Sequence, residues 1–392
     1  MIYIHIPFCR SFCTYCDFYS EAVPECAGDG AAHKRAALYG KFADALFSEI
    51  RSRKEEITGD VDTLYIGGGT PSVLPLSFYR SLMEVLERNA HSSFRDEFTI
   101  EVNPDDIVEK GVDYVHALID LGVSRFSMGV QSLDDGILKW MNRRHDAAGA
   151  RKAYSILEEA GADNISIDLI FGLPQLTDDL WSRTVSEALS ISSSGRLPAH
   201  VSAYQLSIEP GSALARMVGD GRFKEAGEEH CRRQYEILCR MLAEAGYRHY
   251  EISNFALPGR EAVHNSAYWS HVPYSGFGPG AHSFIAASGG GRPVRRWNHP
   301  DLNKYLKAAV EGDFASVSGC ENLSEDQLVL EEIMLSLRTD KGISKDYLYV
   351  HADGDAVSRL LSCGHLAEIP GGFVRIPEDC FFISDSIIAE IV

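Results

Sequence analysis

Six short runs rich in β-branched and aromatic residues, at positions 2–6, 63–66, 98–102, 125–128, 165–170 and 200–206, punctuate the first half of this 392-residue chain. Between them lie amphipathic helical patterns. The stretches LYGKFADALFSEIRSRKEEI, SFYRSLMEVLERN, DYVHALIDLG, ARKAYSILEEAG and DLWSRTVSEALSI repeat apolar residues at spacings of three and four, and several end in Gly. Constant strand and helix alternation dictates an α/β fold: a parallel sheet joined by crossover helices. Closed on itself, such a sheet is a β/α barrel; open, it is doubly wound. The residues leave both open, and in both the ligands gather at the C-terminal ends of the strands.

Those ends carry the chemistry. The first run leads into IHIPFCRSFCTYCDFYS, with Cys9, Cys13 and Cys16, and the second into GGGTPS at 67–72. The third ends in EVNPD with Glu101, the fourth in MGVQS with Gln131, and the fifth carries Asp168 ahead of FGLP. A cysteine cluster, a glycine turn, two carboxylates and an amide therefore surround one mouth.

Charge and composition exclude several partners. The formal net charge is -19, with no compensating basic block, which argues against nucleic acid or an anionic membrane surface as partner. The opening MIYIHIPFC lacks a basic leader, and no apolar run reaches membrane-spanning length, so the expectation is a cytoplasmic protein. Nine cysteines without an export signal point to free thiols and metal ligands. Cys26, Cys231, Cys239, Cys320, Cys363 and Cys380 are scattered and read as small buried residues or inert surface thiols.

Three clustered thiolates do not close a four-coordinate site. A structural zinc would need His5 or Cys26 as its fourth ligand. An iron-sulfur cube normally takes four thiolates, so three would leave one iron open to a substrate or cofactor. The glycine triplet alone is no more than a tight turn, and it is no phosphate loop, because the G-x-x-x-x-G-K pattern is absent. Glu101 and Asp168 sit on otherwise apolar runs and each needs a partner, in a neighbouring loop or a bound ligand.

After about residue 210 the rhythm changes. A helix around CRRQYEILCRMLAEAG leads to YEISNFALPGREAVHNSAYWSHVPYSGFGPGAHSF, whose Gly and Pro content predicts loops over a binding face. From about Ser318 the pattern suggests a compact helical unit with a small β wing. The expected organisation is a core over 1–210, an extension over 211–315 and a small C-terminal domain over 316–392. SGGGR at 288–292 reads as a loop tip, and His282 in GPGAHSF as a satisfied loop histidine.

The C-x-x-x-C-x-x-C spacing, with Tyr15 immediately before the last Cys, resembles the radical S-adenosylmethionine (SAM) superfamily. That resemblance implies a 4Fe-4S cluster on Cys9, Cys13 and Cys16, whose open iron is chelated by SAM and whose electron cleaves SAM to a 5'-deoxyadenosyl radical. YIHIPFCRSFCTYCDF, GGGTPS, FSMGVQS and DLIFGLP are similar to one branch of it, which holds oxygen-independent coproporphyrinogen III dehydrogenase and related heme chaperones. By that resemblance the fold is a partial (β/α)6 TIM-like barrel with a small C-terminal helical, winged domain. Tyr3, Gly68, Gly69, Thr70, Glu101, Gln131, Arg143 and Asp168 carry over as cluster or SAM contacts. Arg143 suits the SAM carboxylate, and Tyr15 carries over as an adenosine contact.

Two departures separate this chain from the dehydrogenase, which has a further Cys where Phe18 stands and an extension ahead of its first strand where this chain begins at Met1. HNSAYW at 264–269 matches the H-N-x-x-Y-W pattern of the chaperone group. There an imidazole, His264, can ligate heme iron while Tyr268 and Trp269 offer flat apolar surface; the plain alternative is an aromatic patch packing a loop, with His264 merely hydrogen-bonded. No C-x-x-C-H occurs for covalent heme attachment. The resemblance thus implies a chaperone with heme b as cargo and respiratory-chain apoproteins as recipients. It also implies an electron donor such as flavodoxin or ferredoxin, and peripheral encounters with membrane enzymes. The alternatives are a radical enzyme acting on a tetrapyrrole, by porphyrinogen dehydrogenation or heme opening, and a zinc protein without SAM.

Overall fold

The computed structural model describes residues 1–23, 29–57, 61–89, 92–287 and 291–392. Cys26 and residues 288–290, the first three of the SGGGR stretch, lie outside the described residues.

Strands β1 (Ile2–Ile6), β2 (Val61–Gly68), β3 (Ser92–Val102), β4 (Arg125–Gln131), β5 (Ile165–Phe171) and β6 (His200–Gln205) lie side by side in chain order, all parallel. A doubly wound sheet reverses its strand order at a switch point. Here there is no reversal, so the winding is that of a barrel. The segment after 210 extends the sheet at both edges instead of only looping over it. β7 (Arg248–Glu251) and β8 (Asn254–Ala256) add antiparallel pairs beyond β6, while β9 (Ser275–Phe277) pairs in parallel with the outer side of β1. Among the described residues the two edge strands, β7 and β9, are not bonded to each other, so the barrel is partial.

Helices cover the outside. α1 (Asp29–Ser52), α2 (Leu76–Asn89), α3 (Pro104–Asp120), α4 (Ala147–Glu159), α5 (Asp178–Leu189) and α6 (Glu228–Glu244) turn apolar stripes to the sheet, as in α2 with Phe78, Leu82, Val85 and Leu86. Their starts are marked chemically: Pro104 opens α3, Asp146 accepts from Gly149 N ahead of α4, and Thr177 from Leu180 N ahead of α5.

Alternation along the strands separates two environments. Leu64, Ile66, Phe98, Ile100, Phe126, Met128, Ile165 and Ile167 are buried in the hydrophobic core. The alternate positions Thr63, Glu97, Thr99, Arg125, Ser127, Ser166, His200 and Ser202 are buried too, and polar. They form a network in which Ser166 Oγ bonds His200 Nδ1 at 2.8 Å and His200 Nε2 bonds Tyr250 OH at 2.8 Å. Parallel strands normally read as continuous apolar runs; the polar alternation marks an interior serving something other than packing.

Helix α7 (Val263–Trp269) closes this interior near the N-terminal ends of β2 and β3. Beyond it, β10 (His282–Ile285), β11 (Val294–Asn298) and β12 (Ser318–Asn322) form an antiparallel sheet. Helix α8 (Glu325–Ser336) leads to a unit with a three-stranded sheet of β13 (Ile343–Ser344), β14 (Ala367–Ile369) and β15 (Phe373–Arg375). Among the described residues no helix is long and apolar enough to cross a membrane.

Candidate cofactor site

The cysteine loop is suspended from its neighbours. Phe8–Cys9 pairs with Glu21–Ala22, closing the loop on itself, while Thr14 N donates to Met141 O at 3.1 Å and Asn142 Nδ2 to Phe12 O at 2.7 Å. The glycine turn then packs backbone to backbone against it: Gly69 N donates to Ile6 O and Thr70 N to Phe8 O, at 2.8 and 2.7 Å. A Cβ on Gly69 would stand 2.7 Å from Phe8 O, and Gly68 has φ +103 with its absent Cβ 2.7 Å from the His5 ring. The turn is glycine because the cysteine strand occupies the space of a side chain.

A cavity of about 420 Å³ opens at the C-terminal strand ends. Cys9, Cys13, Cys16, Tyr15, Gly68, Gly69, Thr70, Glu101, Gln131, Arg143 and Asp168 all line it. Gln131 has φ +66 where the β4 to β5 register shifts. A non-glycine residue held in that region is strained, a feature concentrated at functional sites.

Glu101 accepts from Tyr65 OH at 2.7 Å and Gly68 N at 3.1 Å, and burial lifts its pKa to about 7. Asp168 accepts from Ser127 Oγ at 3.1 Å; burial raises its pKa also. Arg143 donates to Cys13 Sγ at 3.3 Å, to Asn103 Oδ1 at 2.7 Å and to Gly129 O at 2.6 Å, and its buried Nε has no hydrogen-bond partner among the described residues.

Sequence reasoning missed Asn103. Its Nδ2 donates to Thr70 Oγ1 at 3.2 Å, and Thr70 Oγ1 lies 3.4 Å from Cys9 Sγ. Cys9, Thr70, Asn103, Arg143 and Cys13 thus form one chain of contacts arching over the cysteine wall. The available signal was its place at the N-cap of α3, where its side chain makes no cap bond and is left to the site.

The residues fit a cluster with SAM. Burial raises the Cys9 thiol and lifts the Cys16 thiol to about 12, so without a cationic partner both hold their protons, whereas metal ligation needs thiolates. The orphaned Arg143 Nε is the kind of donor an anionic ligand satisfies. His5 is no fourth ligand here: its Nδ1 meets Tyr3 OH at 3.1 Å, its Nε2 meets Tyr19 O at 2.8 Å, and burial lowers its pKa to about 4. Among the described residues no set of three or more His, Cys, Asp or Glu side chains gathers around one point. A cube taking one thiolate per iron does not require one. When bound, the cluster supplies a one-electron reductant beside SAM. The residues that would hold it are Cys9, Cys13 and Cys16, while Glu101 and Asp168 stand in the cavity wall and Arg143 is fixed beside the cysteines.

Tyr3 does not line the cavity; it lies deeper, its ring 6.1 Å from that of Tyr65. His264, Tyr268 and Trp269 are also apart from it, on α7. Glu97 from β3 accepts from Val263 N at 2.8 Å and His264 N at 3.3 Å, capping the helix. The His264 ring is fully buried, with Nδ1 on Thr63 Oγ1 at 2.8 Å and Nε2 on Tyr268 OH at 2.9 Å, and burial lowers its pKa to about 3. Asn265 Nδ2 reaches Glu251 at 3.3 Å. Tyr65 connects the two ends of the interior, its hydroxyl on Glu101 and its ring 5.3 Å from His264.

Phe18 stands at the cavity lip and is 65% exposed.

Comparison with known proteins agrees with this geometry. The sequence model of the Radical SAM superfamily matches residues 3–188. The heme chaperone HemW of Bacillus subtilis is 34% identical over 88% of this chain and 84% of its own length. That of Lactococcus lactis is 33% identical over 87% and 82%. Coproporphyrinogen III oxidase (HemN) from Escherichia coli, a radical SAM enzyme, shares the fold, with a TM-score of 0.77 over 99% of this chain and 89% of that one, at 21% identity. With this kinship extending over most of each HemW sequence, the chain belongs to the HemW family of the radical SAM superfamily.

Proposed function

We propose that this protein is a cytoplasmic heme chaperone, which holds heme b and hands it to respiratory-chain apoproteins at the membrane periphery. The observation that carries the reading is the extent of the kinship: HemW-type chaperones match along more than four fifths of their own length and of this chain. Phe18 at the cavity lip supports it, since no thiol stands there to take part in porphyrinogen chemistry.

In this reading Tyr15, Gly68, Gly69, Thr70, Glu101, Gln131, Arg143 and Asp168 hold SAM, with Tyr3 supporting His5 and Tyr65 from below. A small redox protein of the flavodoxin or ferredoxin kind supplies the electron. His264, Tyr268 and Trp269 contact heme once α7 leaves its seat. Iron ligation by His264 then replaces the bonds to Thr63 and Tyr268, about 1 kcal/mol each.

The test is anaerobic reconstitution with iron and sulfide, followed by hemin and coproporphyrinogen III in parallel. Stoichiometric heme binding with transfer to an apo b-type cytochrome is the expected result. Catalytic conversion of the porphyrinogen would instead make the protein a dehydrogenase.

A further inference from the structure

Heme needs a ligand with an uncommitted lone pair and a flat apolar surface beside it. His264 offers neither without rearrangement. His282, the first residue of β10, is exposed, and among the described residues no hydrogen bond engages its ring nitrogens. Directly across the ladder stands Trp297, its ring 6.4 Å from the imidazole and inclined by 25°.

The indole is held flat by what lies under it. Gly319 of β12 is the cross-strand partner of Trp297, and a Cβ there would come within 2.5 Å of the indole. Gly319 has no positive φ to explain it. Its lack of a side chain makes room for the ring to lie on the sheet. Two residues along β11, Arg295 is tied to Glu331 of α8 at 2.6 and 2.9 Å, which fixes that end of the sheet against the helix. Partial burial and the Arg295 charge lower the His282 pKa, so the imidazole is neutral and its lone pair available.

The position is also apt. β9 runs parallel to β1, so the turn between β9 and β10 emerges at the end of the barrel where the cofactor cavity opens. Gly278 in that turn packs on His5 O and Gly280 on Tyr19, at the close of the cysteine loop.

We infer that His282, its imidazole stacked on and steadied by Trp297 lying over Gly319, is the axial ligand at which heme docks while α7 remains seated. The inference rests on the chaperone reading and names where that cargo sits.

Hemin titrations of the cluster-loaded protein, followed by Soret absorption and resonance Raman, test it. His282→Ala should weaken hemin binding at least tenfold and remove the imidazole-ligated spectrum, with iron content and far-UV circular dichroism unchanged. Added imidazole should restore that spectrum. Gly319→Val, which displaces Trp297 and leaves His282 in place, should weaken binding as well, whereas His299→Ala, on a neighbouring exposed imidazole, should not. Iron-free protoporphyrin IX should bind the wild type and His282→Ala equally. Wild-type affinity and spectrum in His282→Ala overturn the inference and leave the chaperone standing. A wild type that binds no hemin overturns both.

Discussion

The Arg10 guanidinium, next in sequence to Cys9, lies 3.2 Å from the fully buried carboxylate of Asp106 on α3. The other oxygen of Asp106 accepts from Ser72 Oγ at 2.7 Å, just past the glycine turn, and Arg144, beside Arg143, stands 3.7 Å away. One carboxylate therefore ties together three loops that line the cofactor cavity.

Asp106→Asn keeps the shape and removes the charge facing two guanidinium groups. Loss of one partner from a buried pair should destabilise the fold by about 3 kcal/mol, read by denaturant unfolding. Ser72→Ala, which removes a single hydrogen bond, should lose about 1 kcal/mol.

Asn103 acts closer to the cysteines. Asn103→Ala severs the arch between Thr70 and Arg143, so iron should be lost to a chelator about tenfold faster, the scale of outer-shell effects on metal sites. Equal chelation rates in variant and wild type would reduce Asn103 to packing.

Thr63→Val is nearly isosteric and leaves His264 Nδ1 without its partner. It should destabilise the protein by about 1 to 3 kcal/mol. Hydrogen exchange in α7 should accelerate, while the cofactor loops keep their protection.

Glu251 sets a pH dependence. Burial raises its folded pKa from 4.5 to about 7, so the folded state binds the proton more tightly than the unfolded one. Its stabilising share is fully present below pH 4.5 and is lost as pH rises through 7. Unfolding in urea at pH 5 and pH 8 should show Glu251→Gln gaining on the wild type by about 1 to 3 kcal/mol across that interval.

The strands were legible because Ile2, Ile4, Ile6, Ile66, Phe98, Ile100, Ile165 and Ile167 form a β-branched and aromatic core pattern typical of a parallel sheet. The first part of β3, beginning at Ser92, was not, since SSFRDE lacks that pattern and is drawn into the sheet by pairing with β2. β7, β8 and β9 escaped notice for a related reason. At four, three and three residues they are too short to show a period, and only neighbours distant in sequence define them. The cavity residues stood out by type at strand ends. Asn103 and Asp106 did not, because an Asn before a Pro and an Asp in a first helical turn are ordinary helix-start residues. His264 carried a motif, yet its burial depends on Thr63, some two hundred residues earlier, and spacing does not encode that.

β1 is flanked by β2 and β9, and its pairing with β9 joins Ile2–Ile4 to Ser275–Phe277. During synthesis the N-terminal cysteine loop therefore leaves the ribosome long before its outer neighbour exists. For most of translation one edge of β1 has no strand beside it, and long-range pairing of this kind is slow to form. The strand that leads into the cysteine loop therefore gains its second neighbour only once residues 275–277 have been made.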